Sequence, residues 1–258
     1  MAWSARQYVK FEAERTRPVG DLIARIRCER ARRAVDLGCG PGNSTALLQA
    51  RFPQAAVTGI DDSPDMIAAA RERLPQTRFE LHDIAAWSGL AGTVDVILAN
   101  AALQWVPDHA RLLPALLARL TVGGSLAVQM PDNLHEPAHI AMRDVATQAR
   151  WAGRLAAAAR PTDAQHSAAW YFDVLSGAAA TVDLWRTIYY HVLPDLDAIV
   201  EWFKGSALRP FLAPLDEVER RDFLASYREV IAPAYPQRRD GSVLLPFPRL
   251  FFVATRVG

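Results

Sequence analysis

Gly38, Gly40 and Gly42 stand at alternate positions after a short apolar run containing an acid, Val35-Asp36-Leu37. Glycine lets a backbone approach a ligand closely and turn freely through positive φ. Helical spacing from Ser44 to Phe52 makes the loop feed a helix N-terminus. A strand, glycine loop and helix in series form the nucleotide-cradling corner of a doubly wound fold. The spacing is G-x-G-x-G, not the G-x-G-x-x-G of dinucleotide sites. Asp36 would repel a pyrophosphate and attract the ammonium of an amino-acid group. Asp61 ends the next apolar segment about twenty residues beyond Gly40, where an acid hydrogen-bonds a ribose diol. Asp62 follows it. Asp83 ends the third segment and precedes Ile84; a carboxylate there accepts from an adenine amino group while a backbone N–H meets a ring nitrogen. Taken singly, each acid is a surface carboxylate or helix cap. Together, on the edge that carries the glycines, they read as a nucleoside site.

The elements that must hold these residues alternate. Strands are expected at Ala34–Leu37, Ala55–Ile60, Arg78–Leu81, Val94–Ala99 and Ser125–Met130, the fourth almost wholly apolar, as buried parallel strands are. Asp62-Ser63-Pro64 starts a helix through about Leu74. Pro107-Asp108 starts another through Leu120, with Gly123-Gly124 as its stop. Residues 3–30 read as one or two helices broken at Pro18. The pattern changes after Pro131. Segments 132–178 and 193–240 are largely helical, with breaks at Pro210, Pro214 and Pro233, and too long to be simple connections. Thr181–Val192 alternates like a strand; Val243–Leu245 and Arg249–Thr255 are late strands. The expected fold is α/β, a doubly wound Rossmann-like sheet with helical cap insertions. One domain is expected: a helical cap at 1–30, a cofactor core at 31–131, cap segments at 132–178 and 193–240, and late strands at 181–192 and 242–257.

Composition narrows the function. The chain has 258 residues, 51% of them hydrophobic, so a full core can be buried. Lys+Arg 29 against Asp+Glu 28 gives a formal net charge of +1, which argues against a broad electrostatic grip on nucleic acid. The two cysteines, Cys28 and Cys39, read as free thiols of a reducing cytoplasm, because a disulfide at Cys39 would block the loop. No signal-peptide pattern and no apolar run of the ~18 residues needed to span a membrane is present. A cytoplasmic monomer or weak dimer is expected. No clustered His/Cys signature points to a metal, and His109, His135, His139 and His191 read first as packing or solvent-facing residues.

The V-D-L-G-C-G-P-G loop, the G-I-D, the H-D-I and the V-I-L-A-N-A string together resemble the class I S-adenosylmethionine-dependent methyltransferases over residues 30–131. That resemblance implies that Asp36 and the Gly38–Cys39–Gly40 backbone hold the methionine moiety of S-adenosyl-L-methionine. Asp61 and Asp62 would take the ribose side, Met66 would pack on the adenine, and Asp83 and Ile84 would meet its edge. Asn100 and Ala101 would line the sulfonium side. The strings N-A-A-L-Q-W-V-P-D-H (100–109), L-A-V-Q-M-P-D-N-L (126–134), W-R-T-I-Y-Y-H (185–191), L-R-P (208–210) and F-P-R-L-F (247–251) resemble the branch that esterifies trans-aconitate. Trp3-Ser4, Tyr8, Phe11 and E-R-T-R-P (14–18) extend the likeness to nearly the whole chain.

For a tricarboxylate, two carboxylates must be held while the third attacks. Arginine suits this because its fork binds carboxylates in bidentate fashion. The anchors expected are Arg209 and Arg249, with Arg15, Arg17 and Arg186 as further candidates. Tyr189, Tyr190, Trp202 and Trp105 could complete the pocket, and Tyr8 and Trp3 could close over the sulfonium by cation–π attraction. The residues at 1–17 are expected to order when cofactor binds. Competing readings are a carboxyl methyltransferase for another small acid or a malonyl acyl-carrier thioester, a nucleic-acid methyltransferase, a nicotinamide dehydrogenase, and a binding module without a substrate site.

Overall fold

A computed structural model describes residues 12–88, 92–160, 165–178 and 180–258, without the side chains of 12–15. Trp3, Tyr8 and Phe11 lie outside the described residues, as does most of the 1–17 segment.

Among the described residues seven strands form one sheet in the order β3-β2-β1-β4-β5-β7-β6. They are β1 (Arg33–Leu37), β2 (Ala56–Asp61), β3 (Arg78–Leu81), β4 (Val94–Asn100), β5 (Leu120–Pro131), β6 (Ala180–Leu193) and β7 (Val243–Arg256). β1 to β5 pair in parallel, and β7 runs antiparallel to β5. The order turns between β1 and β4, so the loops leaving those two strands diverge and open a crevice at their carboxyl ends. β1 and β4 are apolar because helices cover them: Val35, Leu37, Ile97 and Ala99 belong to one core with Leu112, Leu113 and Leu116.

The helices are α1 (Glu12–Ile23), α2 (Asn43–Arg51), α3 (Pro64–Arg73), α4 (Ile84–Ser88), α5 (His109–Ala118), α6 (Pro137–Ala146), α7 (Ala152–Ala159), α8 (Ala168–Gly177), α9 (Leu196–Lys204), α10 (Arg209–Leu212) and α11 (Glu217–Ile231). The α3 start follows its sequence signal. Ser63 is the N-cap, its hydroxyl accepts from Met66 N at 3.4 Å, and Pro64 stands in the first turn.

Three boundaries depart from the sequence reading. Pro18 does not break the first helix but sits inside α1, where Val19, Leu22 and Ile23 are buried. That apolar face outweighs the one hydrogen bond a proline removes. Gly123 and Gly124 do not stop α5, which ends at Ala118. They belong to a bulge in β5: Leu120 pairs with Val94 and Ser125 with Val96, so residues 121–124 are extruded from the ladder. Gly123 adopts φ 79°, and a Cβ on Gly124 would lie 2.9 Å from the Asp95 carbonyl oxygen, so this bulge requires glycine. Finally, the late strands are one continuous strand, β7, despite Pro246 and Pro248. Pairing with β5 begins at Arg249, so neither proline removes a bond from that ladder.

The chain divides into two compact units. The first comprises residues 1–131, 163–187 and 249–258, and holds the parallel strands and the glycine loop. Helix α8 belongs to this unit, with Tyr171 and Leu175 in its core. The second comprises 132–162 and 188–248. In it α6 packs on α7 and α11, and the Tyr235 hydroxyl accepts from Ala138 N at 3.1 Å.

Candidate active site

The glycine loop of the first unit is fastened from below. The N–H groups of Gly38 and Cys39 both donate to the Ile60 carbonyl, at 2.8 and 2.9 Å. Gly38, Gly40 and Gly42 take φ of 70°, 52° and 88°, a region costly for other residues. A Cβ on Gly38 would fall 2.3 Å from Ala102 Cβ and 3.8 Å from Ile84 Cδ1, so the loop lies against the β4 exit and the start of α4. A Cβ on Gly40 would meet nothing within 4 Å. Above this loop Thr16, Val19, Cys39, Asn43, Ser44 and Asn100 line a small cavity with Gly38.

Asp36 is wholly buried, and one of its oxygens accepts from the Ser44 and Thr45 hydroxyls at 2.7 and 2.6 Å. Burial pushes its carboxyl up to about 6, against the pull of those two hydroxyls. Its other oxygen has no partner among the described residues. Asp36 thus braces the first turn of α2 from beneath the loop. Burial also raises the Cys39 thiol, with the nearby Asp36 and Asp61 carboxylates adding to the shift.

Asp61 spans the loop. Its two oxygens accept from Gly40 N and Ser63 N, each at 2.9 Å. Its carboxyl is raised, first by desolvation, with those N–H groups opposing. An Asp61→Ala change therefore strips two loop N–H groups of their acceptor. Asp62 is exposed and Met66 is buried under α3. Asp83 is exposed and caps α4 by accepting from Ala86 N at 2.8 Å; Ile84 is half-buried.

The β4 exit supplies the facing wall. Asn100 is buried and pairs in register with Gln129 of β5. Its Oδ1 has no hydrogen-bond partner among the described residues. Ala101 adopts φ 51°, rare for a residue with a Cβ, and is held there by its N–H to the Gln129 carbonyl at 2.8 Å. Gln104 Nε2 donates to the Ala101 carbonyl at 2.7 Å. Trp105 follows in a 3-10 turn and is largely exposed.

Arg249 is 4% exposed, and its Nη1 donates to Gln129 Oε1 at 3.0 Å. Its β5 neighbour is Pro131, so it stands at the carboxyl edge, two register steps beyond Gln129. The structure thus brings together Gly38, Cys39, Gly40, Asp61, Ile84, Asn100, Ala101 and Arg249 within the first unit. Arg17 and Arg186 are exposed on that unit, and the side chain of Arg15 lies outside those described.

The other expected substrate residues belong to the second unit. Arg209 is half-buried at the start of α10. Tyr189 is buried, whereas Tyr190 is 61% exposed, because successive strand residues face opposite ways. The pair cannot line one pocket. Trp202 is buried in an aromatic cluster, its ring 4.6 Å from His191 and 5.7 Å from Phe247. That packing is the ordinary core role of an indole. His139 shares the cluster through Phe203, and burial pushes its imidazole down to about 4. His109, in the first unit, bonds the Tyr171 hydroxyl and the Leu103 carbonyl, both at 2.8 Å, as a structural tie. Among the described residues no group of three or more His, Cys, Asp or Glu side chains is arranged to hold a metal ion.

Sequence reasoning passed over Ser44 and Thr45 as anchors of Asp36, and Gln129 as the partner of Arg249. A lone polar residue inside the apolar run Leu126-Ala127-Val128-Gln129-Met130 was the available signal for Gln129.

A family model described as a methyltransferase domain matches residues 34–124, the span that carries the glycine loop and the β4 exit. Over 254 residues the chain is 52% identical to trans-aconitate 2-methyltransferase of Rhodopseudomonas palustris strain BisB5, covering 98% of this chain and 99% of that protein. It is 54% identical over 254 residues to the Methylobacterium nodulans protein of the same name, covering 98% of each. The chain belongs to the trans-aconitate 2-methyltransferase family. The likeness reaches both units, not the methyltransferase domain alone. Solved structures show the same fold at low identity. A YcgJ protein of Bacillus subtilis has a TM-score of 0.61 at 12% identity, over 94% of this chain and 99% of that one. Phosphoethanolamine N-methyltransferase 2 of Haemonchus contortus, solved in complex with S-adenosyl-L-methionine, has a TM-score of 0.56 at 15% identity, over 94% of this chain and 53% of that one.

The first unit fits a nucleoside-bearing amino acid as cofactor. Open space stands where Gly40 lacks a Cβ, a buried Asn100 oxygen lacks a donor, and carboxylates end β2 and follow β3.

Proposed function

We propose that this protein transfers the methyl group of S-adenosyl-L-methionine to one carboxylate of trans-aconitate, giving a monomethyl ester and S-adenosyl-L-homocysteine. The observation that carries this reading is identity above half across 98% of the chain to relatives of that name, through both structural units. The cofactor supplies an already activated methyl, and a substrate carboxylate is ionised at neutral pH, so the chain needs no general base. Its residues position the partners and exclude water.

In this reading the Gly38–Gly40 backbone holds the methionine moiety, and Asp36 acts through the turn that it braces. Asp61 keeps lone pairs for the ribose hydroxyls beyond those given to Gly40 and Ser63. Asp83 and Ile84 meet the adenine edge, with Asp62 and Met66 beside them. Asn100 and Ala101 line the sulfonium side. Arg249 anchors a substrate carboxylate, because a buried guanidinium at the sheet edge favours a bidentate anion.

The protein acts on a small molecule in the cytoplasm, as a monomer or weak dimer. In support, no helix among the described residues is long and apolar enough to cross a membrane, and the formal charge is near balance. The test is incubation with methyl-labelled S-adenosylmethionine and, separately, trans-aconitate, citrate, isocitrate and a malonyl thioester. Label should pass to trans-aconitate far faster than to the others. Transfer to none of them removes the substrate assignment, and transfer to the thioester alone replaces it.

A further inference from the structure

Asn100, Gln129 and Arg249 form a polar row at the carboxyl edge of β4 and β5, where antiparallel β7 passes. Register places Gln129 beside Asn100 on β4 and beside Phe251 on β7, with Arg249 two residues from Phe251 on the same face. Gln129 is completely buried. Its amide is half used: Oε1 accepts from Arg249 Nη1 at 3.0 Å, while Nε2 is buried with no partner among the described residues. A buried amide donor left unpaired costs the desolvation of that group. A glutamine kept only to brace the arginine would carry that cost for nothing, and would bring no charge to offset the guanidinium.

We propose that Gln129 is a substrate-positioning residue: its amide oxygen fixes the Arg249 fork and its amide nitrogen donates to the carboxylate that Arg249 holds. This rests on the functional reading above and deepens it. An ionised carboxylate is acceptor-only, so it satisfies the amide N–H and the guanidinium together. A hydrogen or methyl in its place would leave the buried amide N–H without an acceptor, the arrangement that rejects analogues most strongly. Gln129 therefore sets selectivity for a substrate with a full complement of carboxylates, not merely the fold of the site.

The experiment compares wild type with Gln129→Met, which removes both amide functions at similar volume, and Gln129→Glu, which keeps the acceptor for Arg249 but loses the donor. Substrates are trans-aconitate and three dicarboxylates that each lack one of its carboxylates: glutaconate, itaconate and methylfumarate. Expected for both variants is a KM for trans-aconitate at least tenfold higher and an affinity for S-adenosylhomocysteine within about twofold of wild type. The kcat/KM preference for trans-aconitate over at least one dicarboxylate should narrow at least fivefold. A purely structural role would not move that ratio. Should Gln129→Met fail to fold by circular dichroism, Gln129→Glu carries the test. A folded variant with KM and all three ratios unchanged overturns the role of Gln129 alone. A wild-type protein that neither methylates nor binds trans-aconitate overturns the functional reading, and this one with it.

Discussion

Gly38 and Gly40 lie two residues apart in the same loop, both at positive φ, yet alanine at each should fail for a different reason. At Gly38 a new Cβ would sit 2.3 Å from Ala102 Cβ, where carbons normally keep about 3.5–4.0 Å apart. The loop cannot simply retreat, since Gly38 N and Cys39 N are both bonded to Ile60 O. Forcing an alanine through left-handed φ costs about 1–2 kcal/mol, and overpacking of this kind costs about 1–3 kcal/mol. A combined loss of about 3 kcal/mol lowers Tm by roughly 6–12 °C in a chain of this size. At Gly40 a Cβ meets nothing, so only the backbone term applies, roughly 2–8 °C of Tm at about 1–2 kcal/mol. The space it fills is where we place the cofactor. Thermal melts with and without S-adenosylhomocysteine separate the two effects. At a hundredfold excess over Kd the ligand should raise wild-type stability by about 2.7 kcal/mol. Gly40→Ala should lose most of that ligand-induced rise while melting closer to wild type than Gly38→Ala. The reasoning fails if Gly38→Ala melts within about 2 °C of wild type, or if Gly40→Ala keeps the full ligand shift.

Three further outcomes are expected. Asp36, held up to about 6 by burial, binds its proton more tightly in the folded state than in the unfolded one. Its contribution is fully present below about pH 4 and lost as pH rises through about 6, an effect of about 3 kcal/mol. Asp36→Asn should therefore gain about that much relative to wild type between pH 4 and pH 7 in urea unfolding; parallel pH profiles would refute the burial argument. Asp61→Ala should weaken S-adenosylhomocysteine binding by calorimetry and also lower stability by about 1–3 kcal/mol, because Gly40 N and Ser63 N lose their acceptor. Unchanged stability would show that loop to be held otherwise. Arg249→Lys should raise the KM for trans-aconitate more than tenfold, for the loss of charge-assisted bonds worth about 1.5–3 kcal/mol, with cofactor affinity little changed; a KM within twofold would remove Arg249 as an anchor.

Local chemistry was legible without coordinates. The alternation of apolar runs with helical spacing implied parallel pairing, and Ser63-Pro64 announced α3 because capping is decided within one turn. The G-x-G-x-G loop and the acids at Asp61 and Asp83 could be placed on one edge because they follow successive strands of a parallel sheet. Several roles that depend on a distant partner were not legible. Pro18 reads as a break in sequence, because the burial of Val19 and Leu22 that holds α1 together is a tertiary fact. Gly123-Gly124 looked like a helix stop because a bulge exists only against a neighbouring strand, here Val94–Val96 of β4. Asp36 looked like a bare ligand for an ammonium. Only packing showed it sealed beneath α2, with Ser44 and Thr45 taking one oxygen. The Gln129–Arg249 bond joins residues 120 positions apart, and pattern within a short window carries no information about such a pair. Backbone preference and periodicity are properties of neighbours along the chain, so the sequence by itself determined the scaffold and the edge that carries its candidate site. Desolvation and hydrogen-bond satisfaction are properties of neighbours in space, so only the folded protein decided which polar groups are braces and which remain open to a ligand.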